Sequence, residues 1–245
     1  MMRVRVLAIA AVLAMALCGV VYTVSYPQQP PQHTLHELVY IQGETQAVGD
    51  GVMYPWVRID SMNRPSAIGV TFTESILTNL PDTDTEYLAR LPEVVPHAPF
   101  NHIALDWVPK GHFPEQFYGV PHFDVHFYMI TPQARSLITG LRDDEARVNK
   151  LPAAQFLPQG YVPAKPGVAL MGLHWVRPDF PEFHGQPFTA SLIYGTYNGQ
   201  VTFIEPMITR AYLLTHPSVN RAIDQPKAVQ TSGSDPPRFT TAYDA

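Results

Sequence analysis

The chain has 245 residues, 46% hydrophobic and 15% charged, with a net charge of −5. That composition supports a packed core and excludes a disordered chain. Without a Lys/Arg-rich block it also lacks the electrostatic footprint of a nucleic-acid binder, so no nucleic-acid partner is expected.

The chain starts with Arg3 and Arg5, followed by 19 uncharged residues from Val6 to Val24. A positive start before an apolar run is an export signal, and this run is also just long enough to span a bilayer. Residues 1–25 are therefore expected to be a signal peptide, cleaved near Ser25, or an uncleaved membrane anchor with its arginines in the cytoplasm. Either way the rest is expected to be extracytoplasmic, in the periplasm or at the cell surface. The anchor, if kept, is the part that contacts membrane. The single cysteine, Cys18, lies inside this run. The exported part thus has no disulfide and no thiolate, and any transition-metal site must use His, Asp, Glu, Tyr or Met.

Residues 26–36 form a proline- and glutamine-rich linker. The folded body is expected over 37–223 as one β-rich domain, and 224–245 as a flexible tail. The 25 prolines favour short elements and rigid loops. Strands are expected at 37–42, 52–60, 67–73, 102–108, 121–130, 167–176, 188–197 and 200–208, where β-branched and aromatic residues run between Pro and Gly. Short helices are expected at 73–80, 83–91 and 131–141, the last with Thr131 as N-cap and Pro132 at its first position. Asn198-Gly199 marks a type I′ hairpin turn, which needs positive φ at both central residues. The fold class is mainly β (α+β): an antiparallel sheet or barrel with a few short helices.

"PHFDVHFYMI" (121–130) carries the densest chemistry. On a strand, side chains alternate between faces. His122, Asp124, His126 and Tyr128 then share one face, while Phe123, Val125, Phe127 and Met129 share the other and must pack on a core. A solvated face would use Lys, Thr, Ser, Glu or Gln, and this one uses none of them. Imidazole, carboxylate, imidazole is a donor series suited to a divalent metal. One strand cannot close a coordination sphere. His112 and Glu115 in "KGHFPEQFYGVPH" (110–122), His174 in "MGLHWV" (171–176) and Glu205 in "FIEP" (203–206) are the further candidates. The metal set is His112, His122, Asp124, His126 and His174. Glu115, Asp124 and Glu205 are the candidate acid–base groups, and His102 with Asp106 is expected to add hydrogen bonds beneath the site. The donor set points to zinc first, with iron or manganese also suited. Met129, Met171 and Met207 permit copper. No nucleophile elbow, Walker A loop or dinucleotide fingerprint occurs.

The run "NHIALDWVPKGHFPEQFYGVPHFDVHFYMI", with "MGLHW" and "IYGTYNGQVTFIEPMIT", resembles a family of uncharacterised secreted bacterial proteins, represented by a Thermus protein under an extracytoplasmic-function sigma factor. The resemblance spans about residues 37–215. It implies an exported protein with one compact domain, leaves homo-oligomers open, and implies no activity. Three functions follow as expectations: a divalent-metal-binding envelope protein, a metal-dependent hydrolase or lyase, and a structural oligomer whose His/Asp face is a buried hydrogen-bond network.

Overall fold

The computed structural model describes residues 39–93, 99–230 and 238–241, all within one compact unit. The expected signal or anchor segment and the linker lie outside the described residues. Among the described residues no helix is long and apolar enough to cross a membrane.

Two antiparallel sheets dominate. The smaller holds β1 (Val39–Gln42), β2 (Gln46–Val48), β3 (Gly51–Ile59) and β4 (Pro65–Phe72). β1 and β2 pair with successive parts of β3, and β4 lines its other edge. The larger sheet holds β5 (Thr85–Arg90), β6 (His102–Val108), β7 (His122–Tyr128), β8 (Val162–Val168), β9 (Gly172–Val176), β10 (Ala190–Tyr197) and β11 (Gln200–Thr209). Its order is β5-β6-β7-β11-β10-β9-β8, so β7 and β11, far apart in sequence, lie side by side at its centre. A small hairpin joins β12 (Val219–Ala222) to β13 (Arg238–Thr241). The residues expected to form a loose tail thus include four that pair as a strand.

The core follows from the alternation. Phe123, Val125 and Phe127 of β7 join Ile103, Leu105 and Trp107 of β6 and Ile204 and Ile208 of β11 in one cluster. That cluster also takes in Met53 and Val57 of the smaller sheet. Each such large side chain removed from water contributes about 1.5–3 kcal/mol. The opposite face of the larger sheet is therefore left to the polar set, capped by Tyr118, Phe188 and Ile193 at one end and by Tyr128 and Phe203 at the other.

The sheet class agrees with expectation, and Asn198 and Gly199 have φ of 50° and 80° at the β10–β11 turn. Three helix expectations change. Residues 83–91 contain β5, because Leu88 and Ala89 pair with Ala104 and Ile103 of β6, and pairing outweighs the helix propensity of Glu, Leu, Ala and Arg. Residues 73–80 make only a 3₁₀ turn, Glu74–Leu77, with Ile76 and Leu77 buried. Thr131 does cap a helix, accepting from Ala134 N at 3.2 Å, but that helix is the single turn Pro132–Arg135. The expected strand 167–176 is divided by a turn at Leu170, whose φ is 66°.

Candidate metal centre

His122, Asp124 and His126 stand on one face of β7, as the alternation requires, and all three are buried. Antiparallel pairing sets their neighbours. Thr209 and Met207 of β11 lie opposite His122 and Asp124, and the same register brings Glu205 beside His126. On the other side Val108, Asp106 and Ala104 of β6 lie opposite His122, Asp124 and His126. His174 of β9 reaches the same face across Gly195, its partner on β10. Gly195 is required there: a Cβ would come within 2.0 Å of the Phe203 ring, which occupies that space.

His112 arrives from the loop between β6 and β7. Gly111 turns that loop with φ +69°, and a Cβ on it would meet the Tyr118 carbonyl at 2.0 Å. His112 N then donates to Tyr118 O at 3.2 Å, and the imidazole packs on Tyr118 and edge-on to His122. Tyr118 is held in turn by its hydroxyl, which reaches the buried Glu182 at 3.4 Å.

The result is two triads, not the one shared site expected. The first is His112, His122 and Asp124; the second is His126, His174 and Glu205. In each, three donor atoms lie within 4.8 Å of one another. In the first, Asp124 Oδ2 stands 3.4 Å from His112 Nε2 and Oδ1 stands 3.2 Å from His122 Nε2. In the second, Glu205 Oε2 stands 3.2 Å from His126 Nε2 and 3.7 Å from His174 Nε2. Glu205, expected as a base or ligand, stands in the second triad. Glu115 is exposed in the first turn of α1 (Glu115–Tyr118) and belongs to neither triad.

The ring nitrogens decide what these contacts mean. His122 Nδ1–H donates to Val120 O at 2.6 Å, and His112 Nδ1–H to Phe113 O at 2.9 Å. With Nδ1 committed as donor, the neutral ring turns a lone pair on Nε2 toward Asp124. Two acceptors then face each other unless a proton or a cation lies between them. His126 is placed similarly, with Nδ1 2.9 Å from Asp106 Oδ2 and Nε2 toward Glu205. Asp106 thus stands beside the second triad, though neither its Oδ2 nor His126 Nδ1 makes an aligned hydrogen bond, and His102 stacks on Tyr128 at 4.8 Å.

Charge follows the same geometry. Burial disfavours the imidazolium of His112, but the adjacent Asp124 carboxylate wins and pushes its pKa up to about 9. His126, buried but facing Glu205 and Asp106, is likewise held well above the ordinary value. Burial lowers His174 and raises Asp106. Burial would raise Asp124 too, but its two imidazole partners hold it below the usual carboxylate range.

A divalent ion fits this arrangement. His122 Nε2, Asp124 Oδ1, His126 Nε2 and Glu205 Oε2 are buried yet make no aligned hydrogen bond, and the same holds for the neighbouring His126 Nδ1, Asp106 Oδ2 and His102 Nε2. Ligand atoms around a tetrahedral centre with bonds of about 2.0–2.2 Å lie about 3.3–3.6 Å apart, beyond the usual span of a hydrogen bond. The carboxylate–imidazole separations, 3.2 to 3.7 Å, bracket that spacing.

Fold and site together define a two-sheet β protein with paired His/carboxylate triads on the outer face of its larger sheet. Residues 60–107 match a family model described as TTHB210-like, Hypothetical protein TTHB210, in line with the resemblance to uncharacterised proteins. The match takes in Asp106 but ends before all six triad residues. No curated protein and no solved structure matches the chain.

Proposed function

We propose that this chain is an exported protein of the bacterial cell envelope that binds divalent metal, zinc best suited, in two adjacent His₂-carboxylate triads. One observation carries the reading: His122, whose Nδ1–H is already bound to the Val120 carbonyl, turns Nε2 onto a buried Asp124 oxygen without hydrogen-bond alignment, and His126 Nε2 meets the buried Glu205 Oε2 in the same way. Two nitrogens and one oxygen per triad suit zinc, and also iron(II) or manganese. Export rests on Arg3, Arg5 and the apolar run that follows.

The test is elemental analysis of untagged protein before and after zinc reconstitution. About two equivalents per chain are expected; less than about a tenth of an equivalent after reconstitution rejects the proposal. A metal-dependent hydrolase or lyase is the second reading. It is favoured by the count of three protein ligands per triad, which leaves a fourth position for substrate, as catalytic zinc sites do. There His112 and His122 would hold the metal with Asp124, and the Nδ1 contacts to Val120 and Phe113 would keep both rings oriented.

A further inference from the structure

Resting on that proposal, the geometry points to a division of labour between the triads: the His112 triad is an exchangeable metal position, and the His126 triad a retained one. The elements that supply the ligands differ. His122 and Asp124 come from β7, but His112 comes from a loop, and its side chain is 39% exposed. Opening that triad requires rotation of the His112 ring, which gives up its Nδ1–H contact to Phe113 O, or a shift of its loop, which the backbone contacts Gly111 N to Val108 O and His112 N to Tyr118 O hold in place. Loop and side-chain motions of this kind are fast.

The second triad has no loop ligand. His126, His174 and Glu205 sit on β7, β9 and β11, with side-chain exposures of 1%, 16% and 3%. Phe203 stands edge-on against both imidazoles, at 4.9 Å from His126 and 5.5 Å from His174, with Gly195 beneath it. His174 keeps a narrow edge on solvent, but withdrawing the other two ligands means parting strands paired at the centre of the sheet. Such openings lie nearer the global unfolding free energy than a loop motion does.

The open triad also has an apolar lip. Phe113 beside His112 is 73% exposed, and Val120, whose carbonyl orients His122, is 41% exposed. The ion at this position is the one that meets the outside, whether handed to another carrier or used on a substrate. The ion in the second triad is a structural pin.

Zinc-loaded full-length protein mixed with an excess of a chromogenic chelator tests this. Two release phases of similar amplitude are expected, separated by at least about tenfold in rate. His112→Ala should delete the fast phase and keep the slow one; His174→Ala should delete the slow phase. Asp124→Asn provides a second route to losing the fast phase if His112→Ala folds poorly, and circular dichroism checks each variant. Two equivalents leaving in one phase, or loss of the slow phase on His112→Ala, overturns the division while leaving metal binding intact. Absence of bound zinc overturns the underlying proposal instead.

Discussion

Asp124 holds two imidazoles with one carboxylate, an oxygen to each. Replacing it with Asn keeps the volume and removes the charge. Metal analysis should then give about one equivalent instead of two, since the second triad shares no ligand with the first. The proton on His112 sets the pH dependence. In the metal-free chain its pKa is raised from 6.5 to about 9, so the pair with Asp124 stabilises the fold fully below 6.5 and that contribution is lost as pH rises through 9. Metal requires the neutral ring, so zinc affinity should rise with pH across the same window and flatten above it. Titration calorimetry in buffers of different ionisation enthalpy should show protons released on binding at neutral pH. A flat affinity across the window would remove His112 from the ligand set. At this scale much was legible in the sequence. His122, Asp124 and His126 are legible because imidazole and carboxylate at every second position have no ordinary role on a solvated strand; His112, His174 and Glu205 are legible only as further donors, from a loop, an apolar strand and the end of a hairpin strand. Their partition into two triads was not legible, because it depends on where Gly111 turns a loop and on the register of β7 against β11.

Among elements, β10 carries no ligand yet controls one triad. Gly195 leaves room for Phe203, and Phe203 fixes the two imidazoles of the second triad. Gly195→Ala should force the ring aside, cost about 1–3 kcal/mol by overpacking, and lower occupancy of the second triad while sparing the first. Chemical denaturation and metal analysis of that variant measure both effects. The two-faced nature of β7 has its own check. Phe123→Ala empties the core side without touching the polar side, and should cost about 3–5 kcal/mol. The strands were legible where alternation was strong. β5 was not, because "TEYLAR" is built from good helix formers and becomes a strand only through pairing with β6. The short helices were overestimated for the opposite reason: Thr131-Pro132 is a sound start signal, but nothing after Arg135 sustains an amphipathic face.

For the whole molecule, metal should act as a ligand of the folded state alone. With free zinc at 100 times its dissociation constant, each site adds about 2.7 kcal/mol. For a chain of this size that corresponds to a rise of roughly 5–10 °C in Tm, which a chelator should reverse in a thermal melt. An unchanged melting curve would mean that the triads are filled by protons and not by metal. The mainly β, antiparallel class is legible in the sequence, but its division into separate sheets is not. Nor is the adjacency of β7 and β11, since it joins strands separated by about eighty residues, and no local pattern encodes that distance.

The spacing of the ligands along the chain has a consequence for how the protein acquires its metal. All ligands of the first triad fall between His112 and Asp124, within one loop and the strand that follows it. Closing so short a segment costs little chain entropy, so this triad is complete as soon as the loop folds back onto the start of β7. The second triad draws on His126, His174 and Glu205, and exists only after three strands have met in register. The first ion can therefore guide folding, while the second can only reward its completion.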